Sequence, residues 1–311
     1  MKVVFMGTPD FAVGALEAII QAGHEVTAVV TQPDKPKGRS GQMQFPPVKE
    51  CAVKYDIPVF QPVKVKEPEA MEELRKYEAD IFVVAAFGQI LTREILDMPR
   101  LGCVNIHASL LPKYRGAAPI NQVIIDGEPE TGVTIQQMNE GIDTGDILSK
   151  VIVSIDKKET AESLFVKLEE AGASLIVETL EKLEKGEITP VPQDDSQASY
   201  VKMMKKSLGK IDWNMDAVAI ERLVRGLNSW PSAYTFFEGK SVKLWSCDVL
   251  EESCLEAPGT IVRVNKDSVD VATGNGVLRI LELQLEGKKR MDTKSFLLGN
   301  AWKAGMCLGE N

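Results

Sequence analysis

The run Asp80–Phe87 (DIFVVAAF) constrains the fold more than any other stretch of the chain. A strand with one face in water alternates apolar and polar residues. One that is apolar nearly throughout has both faces covered, as in the interior of a parallel α/β sheet. The N-terminus agrees: Lys2–Met6 reads as a strand, Phe11–Ala22 as a helix stopped by Gly23, and Val26–Thr31 as a second strand. Thr8 before Pro9 has the form of an N-cap with proline in the first helical turn. The turn GTPDF is not G-x-G-x-x-G, and strand two ends in Val-Val-Thr-Gln-Pro without an acidic residue for a ribose. A nicotinamide dehydrogenase is therefore weakly supported.

At 311 residues the chain is too long for one ordinary core, and two domains are expected. A hydrophobic content of 44% and charged content of 26% suit a globular protein. No apolar run approaches the ~18 residues of a membrane span, and the N-terminus reads as a strand rather than a signal peptide. Five scattered cysteines with no C-x-x-C spacing predict a reducing, cytoplasmic setting without disulfides or a zinc site. A net charge of −9 argues against a protein that coats nucleic acid. Residues 205–311 are nearly neutral, however, so local basic patches can still meet RNA.

The long Pro/Gly-rich loop QPDKPKGRSGQMQFPPVK (32–49) carries Lys35, Lys37, Arg39 and Lys49. Connections of this length without a regular pattern are commonly functional. A short helix closing at Tyr55, a strand at Pro58–Gln61 and a helix at Glu67–Tyr77 follow. The loop Gly88–Leu91 then leaves the DIFVVAAF strand beside the strand bearing Asn105 and His107. Further on come a helix at Ala117–Asp126, strands at Thr131–Met138 and Ile147–Ile155, and an amphipathic helix at Thr160–Glu184. From 189 the pattern dissolves into a polar segment with Lys202, Lys205, Lys206 and Lys210, read as a linker. A helix at Asp216–Leu227 and five short strands suggest a small antiparallel barrel. The expected division is 1–189, a basic linker 190–208, and 209–311.

The chemistry concentrates in GCVNIHASLLPKYRGAAPI, residues 102–120. Asn105 and His107 lie two apart on a strand, so they share a face. Pro112 and Gly116 end the strand in a loop, where parallel sheets usually present their sites. Asp143 lies in GIDTG. Taken singly, a strand His can be a hydrogen-bonded core residue, and Asn105 and Asp143 can be turn formers. Their combination at one strand end, read with the rest of the chain, favours a site over three separate structural residues.

This set, with MGTPDFAV, PDKPKGR, AAFGQIL, NEGIDTGDI, GKIDW, GLNSWPSAYT and GKKRM in order, resembles the formyltransferases that use 10-formyltetrahydrofolate, and within them the methionyl-tRNA formyltransferase family. The resemblance runs from about Val3 to about Gly305. It implies a Rossmann-like, mostly parallel sheet with helices on both faces, plus a C-terminal oligonucleotide-binding-like β-barrel that binds tRNA. It implies Asn105, His107 and Asp143 as catalytic residues and no metal. Folate contacts fall on Phe87, Gly88, Gln89, Ile90, Leu91, Ser109, Leu110, Leu111, Pro112, Asn139, Glu140, Gly141 and Ile142, with ordinary core packing the competing reading for Ile90, Leu91, Leu110 and Leu111. Initiator methionyl-tRNA is the implied acceptor, met by Lys35, Lys37, Arg39, Lys202, Lys205, Lys206 and Lys210. A monomer without membrane attachment is expected. The competing expectations are a formyltransferase acting on a nucleotide-linked amino sugar and a non-catalytic RNA-binding relative.

Overall fold

Seven strands form the sheet that the apolar runs predict. A computed structural model describes residues 1–37 and 42–309. The chain opens with β1 (Lys2–Gly7), α1 (Val13–Gln21) and β2 (Glu25–Val30), and β1 pairs with β2 in parallel. A hairpin of β3 (Lys35–Lys37) and β4 (Gln42–Gln44) precedes α2 (Pro47–Lys54), β5 (Val59–Phe60), α3 (Pro68–Arg75) and β6 (Ile81–Ala85). Both α2 and α3 begin on a proline, whose missing N–H is one that a helix leaves unpaired anyway. Next come α4 (Arg93–Leu96), β7 (Cys103–His107), β8 (Arg115–Gly116), α5 (Pro119–Asp126) and β9 (Glu130–Gln137). They are followed by β10 (Ile147–Ser154), α6 (Ala161–Glu184) and β11 (Tyr200–Val201).

The strand order is β10-β9-β7-β6-β1-β2-β5. β1, β2, β5, β6 and β7 run parallel, whereas β9 and β10 form an antiparallel flank against β7. β6 is buried at every position, as its unbroken apolarity requires, and Phe82, Val84, Phe87 and Leu91 join Val4, Met6 and Val30 in one core. β10, at the edge, shows the partial burial of a strand with one face in solvent. The order reverses around β1, so the loops leaving β1, β6 and β7 open onto the crevice where such sheets bind ligands.

Two local expectations are corrected. Thr8 does not cap a helix: its hydroxyl donates to the carbonyl of Phe87 at 3.1 Å, tying the β1 loop to the β6 loop, and the first turn is a 3-10 turn at Asp10–Ala12. The basic loop is not irregular throughout, because β3 and β4 pair within it. Lys49 is not one of its free cations: it bonds Asp34 at 2.6 and 2.9 Å and lies over the Phe45 ring. Arg39 falls outside the described residues.

The chain forms two compact units that are not simple halves. Met1–Pro119, Glu130–Ser154 and Phe165–Val201 make the first; Ile120–Pro129, Ile155–Leu164 and Lys202–Asn311 make the second. The stretch read as a linker, 190–208, is thus divided at Val201, and its first part contributes β11, paired with β8.

The second unit contains α7 (Ala217–Gly226), β12 (Ala233–Phe237), β13 (Lys240–Leu250), β14 (Ile261–Val264), β15 (Val269–Ala272) and β16 (Val277–Leu285). The short β17 (Met291–Asp292) and α8 (Thr293–Gly299), absent from the sequence reading, complete it. The antiparallel path is β12-β13-β16-β15-β14, with β17 on β16. Its two outer strands are bridged by the last described residues. The Ile261 N–H donates to the Met306 carbonyl, the Gly305 and Leu308 N–H groups donate to the carbonyls of Ile261 and Gly259, and the Gly309 N–H donates to the Phe236 carbonyl. The apolar face of α7 (Ile220, Leu223, Val224) packs into the sheet's core with Trp213 and Trp302. Among the described residues no helix is long and apolar enough to cross a membrane.

Candidate active site

β7 and β9 are antiparallel neighbours in the register Asn105↔Gln136 and His107↔Thr134. Period-two geometry puts Asn105 and His107 on one face, and Gln136 stands directly opposite Asn105. Asp143 reaches this face from the turn between β9 and β10. Its Oδ1 lies 3.5 Å from His107 Nδ1 and 3.5 Å from Asn105 Nδ2. The three residues singled out from the sequence therefore converge.

The carboxylate is held by neutral donors. The Gly116 N–H donates to Oδ2 at 2.8 Å, and the Gln136 side-chain amide donates to Oδ1 at 2.9 Å. At 3.5 Å the Asn105 contact is at the outer limit for a hydrogen bond, so that amide remains able to turn to another acceptor. The side chains of His107 and Asp143 are 7% and 16% exposed. The charge thus sits in a poorly solvated place with one side open.

His107 is oriented by the main chain rather than by Asp143 alone. Its Nε2 is 2.9 Å from the carbonyl oxygen of Tyr114, an acceptor, so the network assigns a proton to Nε2. The neutral ring then has its lone pair on Nδ1. A proton taken up there meets the Asp143 carboxylate. The pair can accept a proton from a group entering the crevice and hold it.

Both residues that present these acceptors, Tyr114 (φ 59°) and Asp143 (φ 53°), have left-handed backbones, which L-residues adopt only when their surroundings hold them there. Gly116, at φ 102°, is obligatory: a Cβ there would collide with the Val201 carbonyl.

The residues expected near a folate divide by exposure. Ile90 (79% exposed) and Ile142 (65%) stand out in solvent, whereas Phe87, Leu91 and Leu111 are core. Just past the first loop, Arg93 at the start of α4 is favoured in its charged form chiefly by Asp97, with a smaller contribution from Glu140. The Gln89 side chain accepts from the Val65 N–H at 2.7 Å and donates to the Pro62 carbonyl at 3.0 Å, so it holds its own loop. Asn139 does the same by accepting from the Gly141 N–H and the Thr144 hydroxyl. Gly88, Glu140 and Gly141 are exposed, and Leu110 and Pro112 are half-buried. The 109–112 backbone is largely engaged. Ser109 O accepts from Thr134, which in turn accepts from the Leu111 N–H, and Lys150 reaches the Leu111 carbonyl. Burial beside that carbonyl depresses the Lys150 pKa.

Of the cations expected on the acceptor side, Lys35 is exposed on β3, and Lys202, Lys205, Lys206 and Lys210 are exposed in the second unit, with Lys210 over the Phe236 ring. Among the described residues no group of three or more His, Cys, Asp or Glu is placed to hold a metal ion.

Four contributors were not singled out from the sequence: Gln136, Tyr114, Arg115 and Gln193. Gln136 carried a signal, a polar residue interrupting the apolar alternation of TGVTIQQM. Arg115 stood inside the quoted KYRG motif, yet nothing in the sequence shows that it is only 1% exposed. Gln193 sat in a stretch read as linker.

A family model described as formyl transferase matches residues 1–180, and one described as formyl transferase, C-terminal domain, matches residues 203–301. The methionyl-tRNA formyltransferase of Lachnospira eligens is 57% identical over 315 residues, covering 100% of both chains. That of Agathobacter rectalis is 57% identical over 299 residues, covering 96% of each. Among solved structures, the N-formyltransferase from Helicobacter canadensis, in complex with folinic acid and dTDP-3-aminofucose, superposes with a TM-score of 0.68 at 19% identity. That match covers 94% of this chain and 100% of the other. An alanine-substituted variant of HypX from Aquifex aeolicus gives 0.65 at 18% identity, covering 100% of this chain and 51% of the other. At these identities the two structures speak for the fold alone.

Proposed function

The chain belongs to the methionyl-tRNA formyltransferase family, and from that premise we propose that it transfers the formyl group of 10-formyltetrahydrofolate to the α-amino group of initiator methionyl-tRNA. The observation that carries the chemistry is the convergence of Asp143 on Asn105 and His107 at the mouth of a parallel sheet. In the reaction the neutral amine nitrogen attacks the formyl carbon. The bond from that carbon to the folate nitrogen breaks, and the proton shed by the amine passes to the departing nitrogen. The loosely held Asn105 amide donates to the oxyanion of the tetrahedral intermediate. His107, backed by Asp143, carries the proton between the two nitrogens.

In this reading the folate lies along Phe87, Gly88, Gln89, Ile90 and Leu91 and along Asn139, Glu140, Gly141 and Ile142, with Ser109, Leu110, Leu111 and Pro112 closing its site. The exposed Ile90 and Ile142 offer apolar surface for a flat ring. Lys35, Lys37 and Arg39 meet the tRNA acceptor end, and Lys202, Lys205, Lys206 and Lys210 its phosphates. Arg39 is assigned the specific contact because its planar fork pairs with phosphate or lies on a base.

The test is incubation with 10-formyltetrahydrofolate and, separately, charged initiator tRNA, charged elongator tRNA and an amino-sugar nucleotide. Formylation of the initiator tRNA is expected. Transfer to the sugar nucleotide alone would select the sugar reading, and no transfer to any acceptor would leave a non-catalytic RNA binder.

A further inference from the structure

The segment 193–201 grips the turn that carries Asp143 and the loop that faces His107, and each grip falls on a left-handed residue. The Gln193 side-chain amide donates from Nε2 to the carbonyl oxygens of Asp143 at 2.9 Å and Gly145 at 2.7 Å. Its Oε1 accepts from Arg115 Nε at 3.0 Å and Nη2 at 2.8 Å, so every donor and acceptor of the amide is occupied. Arg115, buried at 1% exposure, sends two further donors outward along the same segment, to the Tyr200 hydroxyl at 2.9 Å and Asp195 at 2.7 Å. The second grip is on Tyr114. The Tyr114 N–H donates to Ser199 Oγ at 2.8 Å, and the Arg115 N–H donates to the Ser199 carbonyl at 2.8 Å. The same Tyr114 offers its carbonyl to His107 Nε2. Two unfavourable backbone conformations, one beneath each half of the His107–Asp143 pair, are thus held by one strap.

We propose that Gln193 is a positioning residue for the reaction, and that the strap 193–201, with Gln193 at one grip and Ser199 at the other, sets the His107–Asp143 geometry. The proposal rests on the reading of Asp143 as a catalytic residue. Gln193 is fitted to this place because only an amide can give two N–H donors to the turn while accepting from a buried guanidinium. Glutamate would keep Arg115 but set a carboxylate oxygen against two carbonyl oxygens, and leucine would leave all four partners unanswered. Asp194–Gln197, Ser199 and Tyr200 are exposed, so the strap contributes little to the hydrophobic core.

The experiment uses the full chain with Gln193→Leu, Gln193→Glu and Ser199→Ala, and with Asp143→Asn as reference. It measures kcat and KM for both substrates, the pH profile of kcat/KM, and the thermal midpoint. Misplacing a catalytic pair by an ångström costs on the order of 10²-fold. Gln193→Leu and Gln193→Glu are expected to lower kcat by about 10- to 100-fold, with a displaced pH profile and folate KM changed less than about twofold. Ser199→Ala is expected to move kcat and the pH profile in the same direction by a smaller factor, and it keeps the proposal testable if the Gln193 variants fold poorly. Wild-type kcat and pH profile in the folded Gln193 variants, beside an inactive Asp143→Asn, would overturn the strap while leaving the active site standing. An unmoved pH profile with activity lost in step with thermal stability would reduce Gln193 to scaffolding. Wild-type activity in Asp143→Asn would remove the premise itself.

Discussion

Asp143 in the first unit and Asp270 in the second are both carboxylates drawn inside the protein, and they are satisfied in opposite ways. Asp270, with no exposed surface, lies in the middle of a three-strand row in which Arg263 on β14 and Arg279 on β16 stand directly across from it. Arg279 grips it at 2.8 and 2.9 Å, Arg263 adds a contact at 3.0 Å and Asn265 one at 3.2 Å. Among the described residues, Asp143 receives a backbone N–H and a glutamine amide, and beyond those an asparagine and a histidine at 3.5 Å. A carboxylate enclosed by two guanidinium groups has its charge cancelled and water excluded, and its work is to lock a strand register. A carboxylate held by neutral dipoles keeps its charge available to a proton on the neighbouring ring.

The contrast can be broken first at the catalytic end, where the effect is largest. His107→Ala should lower kcat by at least ~10²-fold, the lower range for a general acid–base group. Substrate KM values should change little. Steady-state kinetics at saturating folate check this, and a variant within a few-fold of wild type would mean that the ring is only a core residue.

The next effect is on stability. Asp270→Asn leaves two partly exposed arginines facing a buried uncharged amide, and losing hydrogen bonds to a buried charge costs on the order of 1.5–3 kcal/mol. The pH dependence follows from the Asp270 carboxyl. Burial alone would raise its pKa, but the hydrogen bonds from Arg279, Asn265 and Arg263 outweigh burial and pull it below the ordinary 3.8. A depressed folded-state pKa means the stabilisation is present above the unfolded value and is lost as pH falls through the folded one. Urea titrations at pH 7, 5 and 3 should therefore show a full gap between wild type and Asp270→Asn at the two higher values and a narrowing gap at pH 3. A gap that stays constant down to pH 3 would show that the charge on Asp270 is not what matters.

The smallest expected effect sharpens the point about enclosure. Arg290 and Glu282 form a two-contact pair at 2.6 and 2.7 Å on the same sheet, but both side chains are partly in solvent. Glu282→Gln should cost about 1 kcal/mol or less in the same urea titration, as exposed pairs do. A loss comparable to that of Asp270→Asn would mean that pair geometry, not burial, sets the value.

The two carboxylates also differ in how they could be read. The parallel sheet was legible because DIFVVAAF has no polar face, and Asn105 with His107 because period-two spacing fixes their common side. Asp143 stood out through its GIDTG context and the family resemblance. Its holders did not: Gly116 is 27 residues away, and Gln193, which fixes its turn, is 50 away. Spacing along a chain says nothing about such approaches. Thr8 misled for a related reason. Its position before proline satisfied a local capping rule, and the Phe87 carbonyl, 79 residues on, took the hydroxyl instead. Asp270 has partners only five to nine residues away. The sequence still does not reveal it, because matching it to Arg263 and Arg279 requires the register of three strands, which alternation alone does not supply.

Asp143, and not the more deeply buried Asp270, serves the chemistry. Single-turnover formylation of charged initiator tRNA by 10-formyltetrahydrofolate, run on Asp143→Asn and Asp270→Asn at a temperature where both are folded, tests it directly. Asp143→Asn should transfer at least ~10²-fold more slowly with its melting temperature nearly unchanged. Asp270→Asn should keep the wild-type rate with a clearly lowered melting temperature. Transfer by Asp143→Asn at the wild-type rate would contradict it.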